Sequence, residues 1–121
     1  MEEIPQVPSA LAPANGETTD CRRLALERLL EEDRPVVRCS GEIDMSNAAC
    51  LEQELAACVD SGAPVVELDL RGVTFLDSFA VRIIVMAHWR LAASGQRLSV
   101  RAEGFAARLF HWSHLDGLLT A

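Results

Sequence analysis

Asp77-Ser78 stands where a short apolar segment gives way to a helical pattern, in the run Val65-Val66-Glu67-Leu68-Asp69-Leu70-Arg71-Gly72-Val73-Thr74-Phe75-Leu76-Asp77-Ser78-Phe79-Ala80-Val81. A serine at a strand-to-helix turn has two possible duties. It can cap the helix, because its hydroxyl accepts a bond from one of the unpaired N–H groups of the first turn. It can also carry a phosphate, because the positive end of the helix dipole tolerates an anion there. Phosphorylation would add about two negative charges beside Asp77 without wrecking the fold. Asp77 itself either orients the serine hydroxyl or supplies negative charge to the helix start. Phe79, in the first turn, is either an exposed anchor for a partner or, as is commoner for an aromatic ring, part of the core. Ser78 is thus a candidate switch, and the alternative is a plain N-cap that contributes about 1 kcal/mol.

Other chemistry is thinly represented. His88, His111 and His114 come from two predicted helices with no carboxylate–histidine motif, so they read as ordinary histidines and not as metal ligands. No triad, catalytic carboxylate pair or phosphate-cradling glycine loop is present, which points away from an enzyme and from any cofactor. Cys21, Cys39, Cys50 and Cys58 form no C-x-x-C pair and are expected to be reduced, buried small hydrophobes. Trp89 and Trp112 read as packing residues.

The positioning elements follow from the hydrophobic pattern. The 121 residues are half apolar, enough for a single domain with a real core. Residues 1–20 hold Pro5, Pro8, Pro13 and Gly16 with no periodicity and are expected to be disordered, leaving residues 21–121 as the domain. Arg22–Leu30 and Pro35–Ser40 read as strands joined through Glu31-Glu32-Asp33-Arg34. Ser46 is placed to cap a helix whose apolar stripe is Ala48, Leu51, Leu55, Cys58 and Val59, closed by Gly62. Pro64–Leu70 is the clearest strand: Val66, Leu68 and Leu70 face one way, and Val65, Glu67 and Asp69 face the other. The acid-bearing face is expected to lie away from most of the helices, with Asp69 open to local pairing. Val81, Ile84, Val85, His88 and Leu91 mark a second helix ending at Ser94-Gly95. Gln96–Ala102 reads as a strand, and Phe105, Leu109, Phe110 and Trp112 mark a third helix. Strands and helices alternate with short links, so the predicted class is α/β with some parallel pairing.

Charge excludes one class of partner. The formal net charge is −7, of which the tail contributes −4 through Glu2, Glu3, Glu17 and Asp20. Every base is arginine, and neither part has the basic stripe that direct nucleic-acid binding requires. Met1-Glu2-Glu3 is unlike a signal-peptide start and no apolar run approaches spanning length, so a soluble, cytoplasmic protein without direct membrane contact is expected.

Three fragments in this order, spanning about Arg22 to Leu119, resemble the STAS domain of bacterial anti-sigma factor antagonists. Gly41-Glu42-Ile43-Asp44 is similar to that family's Gly-Glu-Leu-Asp signature after its second strand. Leu68 to Ser78 is similar to its strand and phosphorylation loop nearly residue for residue. Arg108-Leu109-Phe110 and Leu115-Asp116-Gly117-Leu118-Leu119 resemble its last helix and tail. The resemblance implies a mixed sheet flanked by helices, no catalysis and a phosphoacceptor at Ser78. It also implies an anti-sigma factor partner that is itself a serine kinase, captured until Ser78 is phosphorylated, with a sigma factor thereby released for transcription. Asp44 would lie near the same surface as Asp77, Ser78, Phe79 and Arg82, the residues expected to meet the partner. Phe79 and Ala80 depart from the small residue and glycine usual in antagonists; Asp-Ser-Phe and Arg82 resemble the stressosome scaffold members instead. A scaffold subunit, or a STAS accessory subunit of a lipid ABC transporter, is the alternative implied.

Overall fold

The computed structural model describes residues 17–112 and Gly117. Five strands and three helices are found among them: β1 (Glu17–Cys21), β2 (Leu24–Glu31), β3 (Arg34–Ile43), α1 (Ala48–Ser61), β4 (Val65–Leu76), α2 (Ser78–Ala93), β5 (Arg97–Arg101) and α3 (Gly104–Trp112). The strands lie side by side in the order β1-β2-β3-β4-β5. The first two pairings are antiparallel, and β3–β4 and β4–β5 are parallel. Each parallel step is bridged by a helix, as the geometry of a crossover requires. The alternation read from the sequence is therefore a mixed sheet, as expected.

Period-two patterning sorts the sheet's faces. Val66, Leu68 and Leu70 of β4 join Leu24, Leu26, Val37, Cys39, Leu98 and Val100 in one buried cluster. Leu51, Leu55 and Cys58 of α1, Val81, Ile84 and Leu91 of α2, and Ala106 and Phe110 of α3 complete it. α1 lies closest to α2, and α3 lies against β4, where Phe105 stacks on Phe75 with ring centroids 6.0 Å apart. Arg28 reaches from β2 to α1 and donates to both carboxylate oxygens of Glu54, at 2.6 and 2.7 Å.

Glu67 and Asp69 project from the other side of β4 and are nonetheless almost fully covered, at 6% and 4% side-chain exposure. Arginines supply the cover. Asp69 accepts two bonds from the Arg71 guanidinium, at 3.0 and 2.9 Å, and Glu67 lies between Arg34 and Arg101. Burial pushes the Asp69 carboxyl up, but the Arg71 bonds and the nearby Arg38 charge outweigh it and hold it below the ordinary value. In register across β2, β3, β4 and β5, Glu27, Arg38, Asp69 and Arg101 form one row of alternating sign. The local pairing left open for Asp69 is thus realised.

Several boundaries differ from the sequence reading. Glu17–Asp20 belong to β1, paired with Ala25–Arg28, and not to the aperiodic tail; the rest of that tail lies outside the described residues. Arg22 and Arg23 form a two-residue turn and β2 begins at Leu24. The strand expected to end at Leu70 runs on to Leu76, with two irregularities in its register against β3 that let it continue past Arg71-Gly72. The residue at the N-cap of α1 is Asn47 and not Ser46, because Ser46 instead donates its hydroxyl to Asp44. Gly62 closes α1 in the left-handed conformation, φ 74°, as its residue type allows.

The cysteines divide. Cys39 and Cys58 are free and buried, as predicted, whereas Cys21 and Cys50 are joined in a disulfide. Spacing along the chain gave no sign of this pair because the β1–β2 hairpin and the β3–α1 turn fold it together from 29 residues apart. Trp89 is also misassigned by the sequence: it lies 65% exposed on the outer side of α2, so it is not a packing residue. The Trp112 side chain and the Leu115–Leu119 segment, Gly117 excepted, lie outside the described residues.

Candidate functional site

Two loops leave the carboxyl ends of the adjacent parallel strands β3 and β4, the position at which open α/β sheets present their sites. The strands end level with each other, Ile43 opposite Leu76. The Asp77 N–H donates to the Ile43 carbonyl at 3.2 Å, binding the second loop to the end of β3. The Asp77 carboxylate then divides its oxygens between two tasks. One accepts from the Ala80 N–H at 2.9 Å and caps α2; the other accepts from the Met45 N–H at 3.2 Å and holds the first loop alongside.

This arrangement removes one of the two duties considered for the serine, that of N-cap. Asp77 is the N-cap, in extended backbone conformation, and Ser78 is the first residue of α2. The Ser78 side chain is exposed, and its hydroxyl makes no hydrogen bond among the described residues. Capping therefore does not explain the serine. A group on that oxygen would sit at the positive end of a 16-residue helix whose first turn holds no acid.

Asp44 is brought to the same end of the sheet, where its side chain bonds Ser46 and Arg23. Its carboxylate accepts from the Ser46 hydroxyl at 2.6 Å and the Ser46 N–H at 2.9 Å, and pairs with Arg23 at 2.7 Å. The Ser46 bonds, with Arg23 adding to them, hold the Asp44 carboxyl below its ordinary value. Asn47 binds the loop from beneath: its amide donates to the carbonyls of Arg22 and Glu42, and its oxygen accepts from the Asp44 N–H. Gly41, with φ 106°, is required just before this loop, since a Cβ there would overlap the Arg23 carbonyl oxygen.

Phe79 is 41% exposed, so the core position that is commoner for such a ring is not the one it takes. Arg82 is exposed one turn further along α2, on the same side as Ser78 and Trp89, and Met86 is exposed beyond it. Met45, on the neighbouring loop, is 73% exposed. Ser78, Phe79 and Arg82 thus share one surface with Asp77 and the Asp44 loop. Arg23, Met45 and Asn47 were missed from the sequence. Asn47 carried a signal, as a residue suited to bonding its own loop backbone, while nothing local marks Arg23. Among the described residues no group of three His, Cys, Asp or Glu gathers as a metal site, and His114 lies outside them. No helix among them is long and apolar enough to cross a membrane.

Residues 27–120 match the family model described as Mlab, STAS domain. An anti-sigma factor antagonist from Mycobacterium paratuberculosis is 32% identical, with 79% of this chain and 82% of that chain aligned at a TM-score of 0.72. The Bacillus cell fate determinant SpoIIAA in its phosphorylated form shares the fold, at 17% identity and a TM-score of 0.63 over 78% of this chain and 88% of that one. Mglu is 27% identical over 64% of this chain, but the match takes in only 19% of Mglu, at a TM-score of 0.58. No curated protein matches the chain.

Proposed function

This chain belongs to the STAS family, and from that premise we propose that it is an anti-sigma factor antagonist gated by phosphorylation of Ser78. In the cytoplasm it captures an anti-sigma factor that is a serine kinase, through Asp77, Ser78, Phe79, Arg82 and the Asp44 loop, and a sigma factor is released. It acts by binding and not by catalysis. The observation that carries the reading is the division of labour at the start of α2: Asp77 caps the helix, and Ser78 presents a hydroxyl that folding does not use. The 32% identity to an anti-sigma factor antagonist supports the partner class.

The proposed gate works by charge. Asp77 is held by two N–H donors, so moving its carboxylate away from a phosphate on the next residue would break both bonds. The phosphate itself is tolerated in the free protein by the helix terminus and by water. Inside an interface it loses that water, and an unpaired phosphate set against Asp77 costs roughly 3 kcal/mol or more, a loss of over a hundredfold in affinity.

Capture from native lysate followed by incubation with ATP and phosphosite mapping tests this. The expected result is a bound serine kinase, modification at Ser78, constitutive binding by Ser78→Ala and weakened binding by Ser78→Asp. An unmodified Ser78 together with full-strength binding by Ser78→Asp would sink the reading and favour the scaffold or lipid-transporter role.

A further inference from the structure

The polar network behind the Asp77–Ser78 surface ends in a covalent bond. β1 is a strand of five residues that ends at Cys21 and, among the described residues, lies at the edge of the sheet, paired with β2. The turn that follows consists of Arg22 and Arg23, with φ 44° and 60°. Such two-residue hairpin turns favour Asn-Gly or Gly-Gly, because a Cβ disfavours the left-handed region at both positions. Two arginines hold that conformation here with help from outside the hairpin. The Arg22 carbonyl accepts from the Asn47 amide at 2.6 Å, and the Arg23 carbonyl accepts from the Glu42 N–H at 3.0 Å. The Arg23 guanidinium donates to Glu42 at 3.0 Å and to Asp44 at 2.7 Å. All of these partners lie in the Glu42–Asn47 segment, whose Met45 N–H is bonded to Asp77. The Cys21–Cys50 disulfide then pins the end of β1 to the first turn of α1, immediately beyond that segment.

We propose that Cys21 and Cys50 form a redox clamp on the Asp77–Ser78 surface. A thiol reductant of the glutathione or dithiol class opens it: its thiolate attacks one sulfur, the other leaves as a thiolate, and a second thiol resolves the mixed disulfide. The protein gains two electrons and two protons as two thiols, and the reductant leaves as a disulfide. An oxidised low-molecular-weight disulfide reverses both steps. Opening frees β1 from α1, leaves the Arg22-Arg23 turn to its own unfavourable backbone and slackens the Glu42–Asn47 segment's hold on Asp77.

Geometry selects the pair. Cys21 and Cys50 are only partly buried, so a small thiol can reach them, whereas Cys39 and Cys58 lie in the core. Burial, with Glu54 nearby, pushes the Cys58 thiol up to about 11, and burial pushes Cys39 up further, so neither competes as a thiolate. In the cytoplasm proposed above, thiol pools keep disulfides open, and those that form there are transient and regulatory. That clause and the gating role rest on the proposed function; the clamp itself does not.

Hydrogen exchange on the full chain, oxidised and after dithiothreitol, tests the clamp without any partner. Reduction is expected to speed exchange about tenfold or more in Thr18–Leu24 and severalfold at the Met45 and Ala80 amides, with Val66–Leu70 unchanged. Cys21→Ser/Cys50→Ser should behave as reduced in the absence of reductant, and Cys39→Ala/Cys58→Ala should keep the response. Unchanged protection at Met45 and Ala80 on reduction would overturn the proposal. So would faster exchange throughout the β4 core, which would make the bond a general staple, and so would full alkylation of Cys21 and Cys50 in air-oxidised protein. Absence of a kinase partner would leave all of these readouts unaffected.

Discussion

Removing the Asp77 carboxylate should destabilise the protein far more than removing the neighbouring Ser78 hydroxyl. Asp77→Ala loses the cap bond to the Ala80 N–H, worth about 1 kcal/mol. It also loses the bond from the Met45 N–H, worth about 0.5–1 kcal/mol in its partly exposed setting. The negative charge at the N-terminus of α2 contributes a few tenths more. The sum is about 2 kcal/mol, which for a domain of this size lowers Tm by roughly 10 °C. Asp77→Asn keeps a capping oxygen but turns an amide toward the Met45 N–H, so about half of the loss is expected. Ser78→Ala breaks no bond within the described residues and introduces a better helix former, so its change should stay within about 0.5 kcal/mol. Thermal and urea unfolding of the full chain, all variants oxidised alike, gives the comparison. A Ser78→Ala loss equal to that of Asp77→Ala would show that the hydroxyl serves folding, and the argument for Ser78 as a free phosphoacceptor would fall.

Arg28 and Glu54 bridge β2 and α1 with both side chains largely covered, so Arg28→Met alone strands a carboxylate and should cost about 2 kcal/mol or more, while Arg28→Met with Glu54→Leu should recover most of it in urea unfolding. Asp69 and Asp44 are both held below their ordinary values, so their contribution is fully present above about pH 4 and is lost as pH falls through the depressed values. Asp69→Asn should accordingly flatten the acid limb of the stability–pH curve in that window; an unchanged limb would mean that the Arg71 bonds do not favour the ionised form in solution.

The pattern of the chain carried most of the architecture because it depends on periods that a sequence displays. Val66, Leu68 and Leu70 against Glu67 and Asp69 could be read directly as two faces, and the helices around Leu51, Ile84 and Phe110 as apolar stripes. The junction at Asp77-Ser78 was legible as well, but the division of roles within it was not. Aspartate and serine are comparably good caps, and the choice turns on how far β4 runs, which is set by its irregular pairing with β3. Glu17-Thr18-Thr19-Asp20 shows no apolar alternation, so nothing marked it as a strand; its order comes from the edge of β2 and from Cys21. Phe79 and Trp89 were misjudged for the same reason as each other. Their type favours burial, but their angular position on α2 puts them outside the stripe formed by Val81, Ile84 and Leu91. Arg23 could not be found at all, because its partners are set by the meeting of two turns about 20 residues apart.

The strand order has a consequence for how the chain assembles. Every strand pairs with the one made just before it, from β1 through β5, so no strand has to be inserted between two that are already joined. Loop closures stay short, and the mean sequence separation of contacts is lower than in sheets of shuffled order, which favours rapid folding without long-lived traps. The sheet can grow by accretion in the direction of synthesis. On such a route the loops bearing Asp44 and Asp77 come side by side once β4 docks on β3, with no need of β5 or α3.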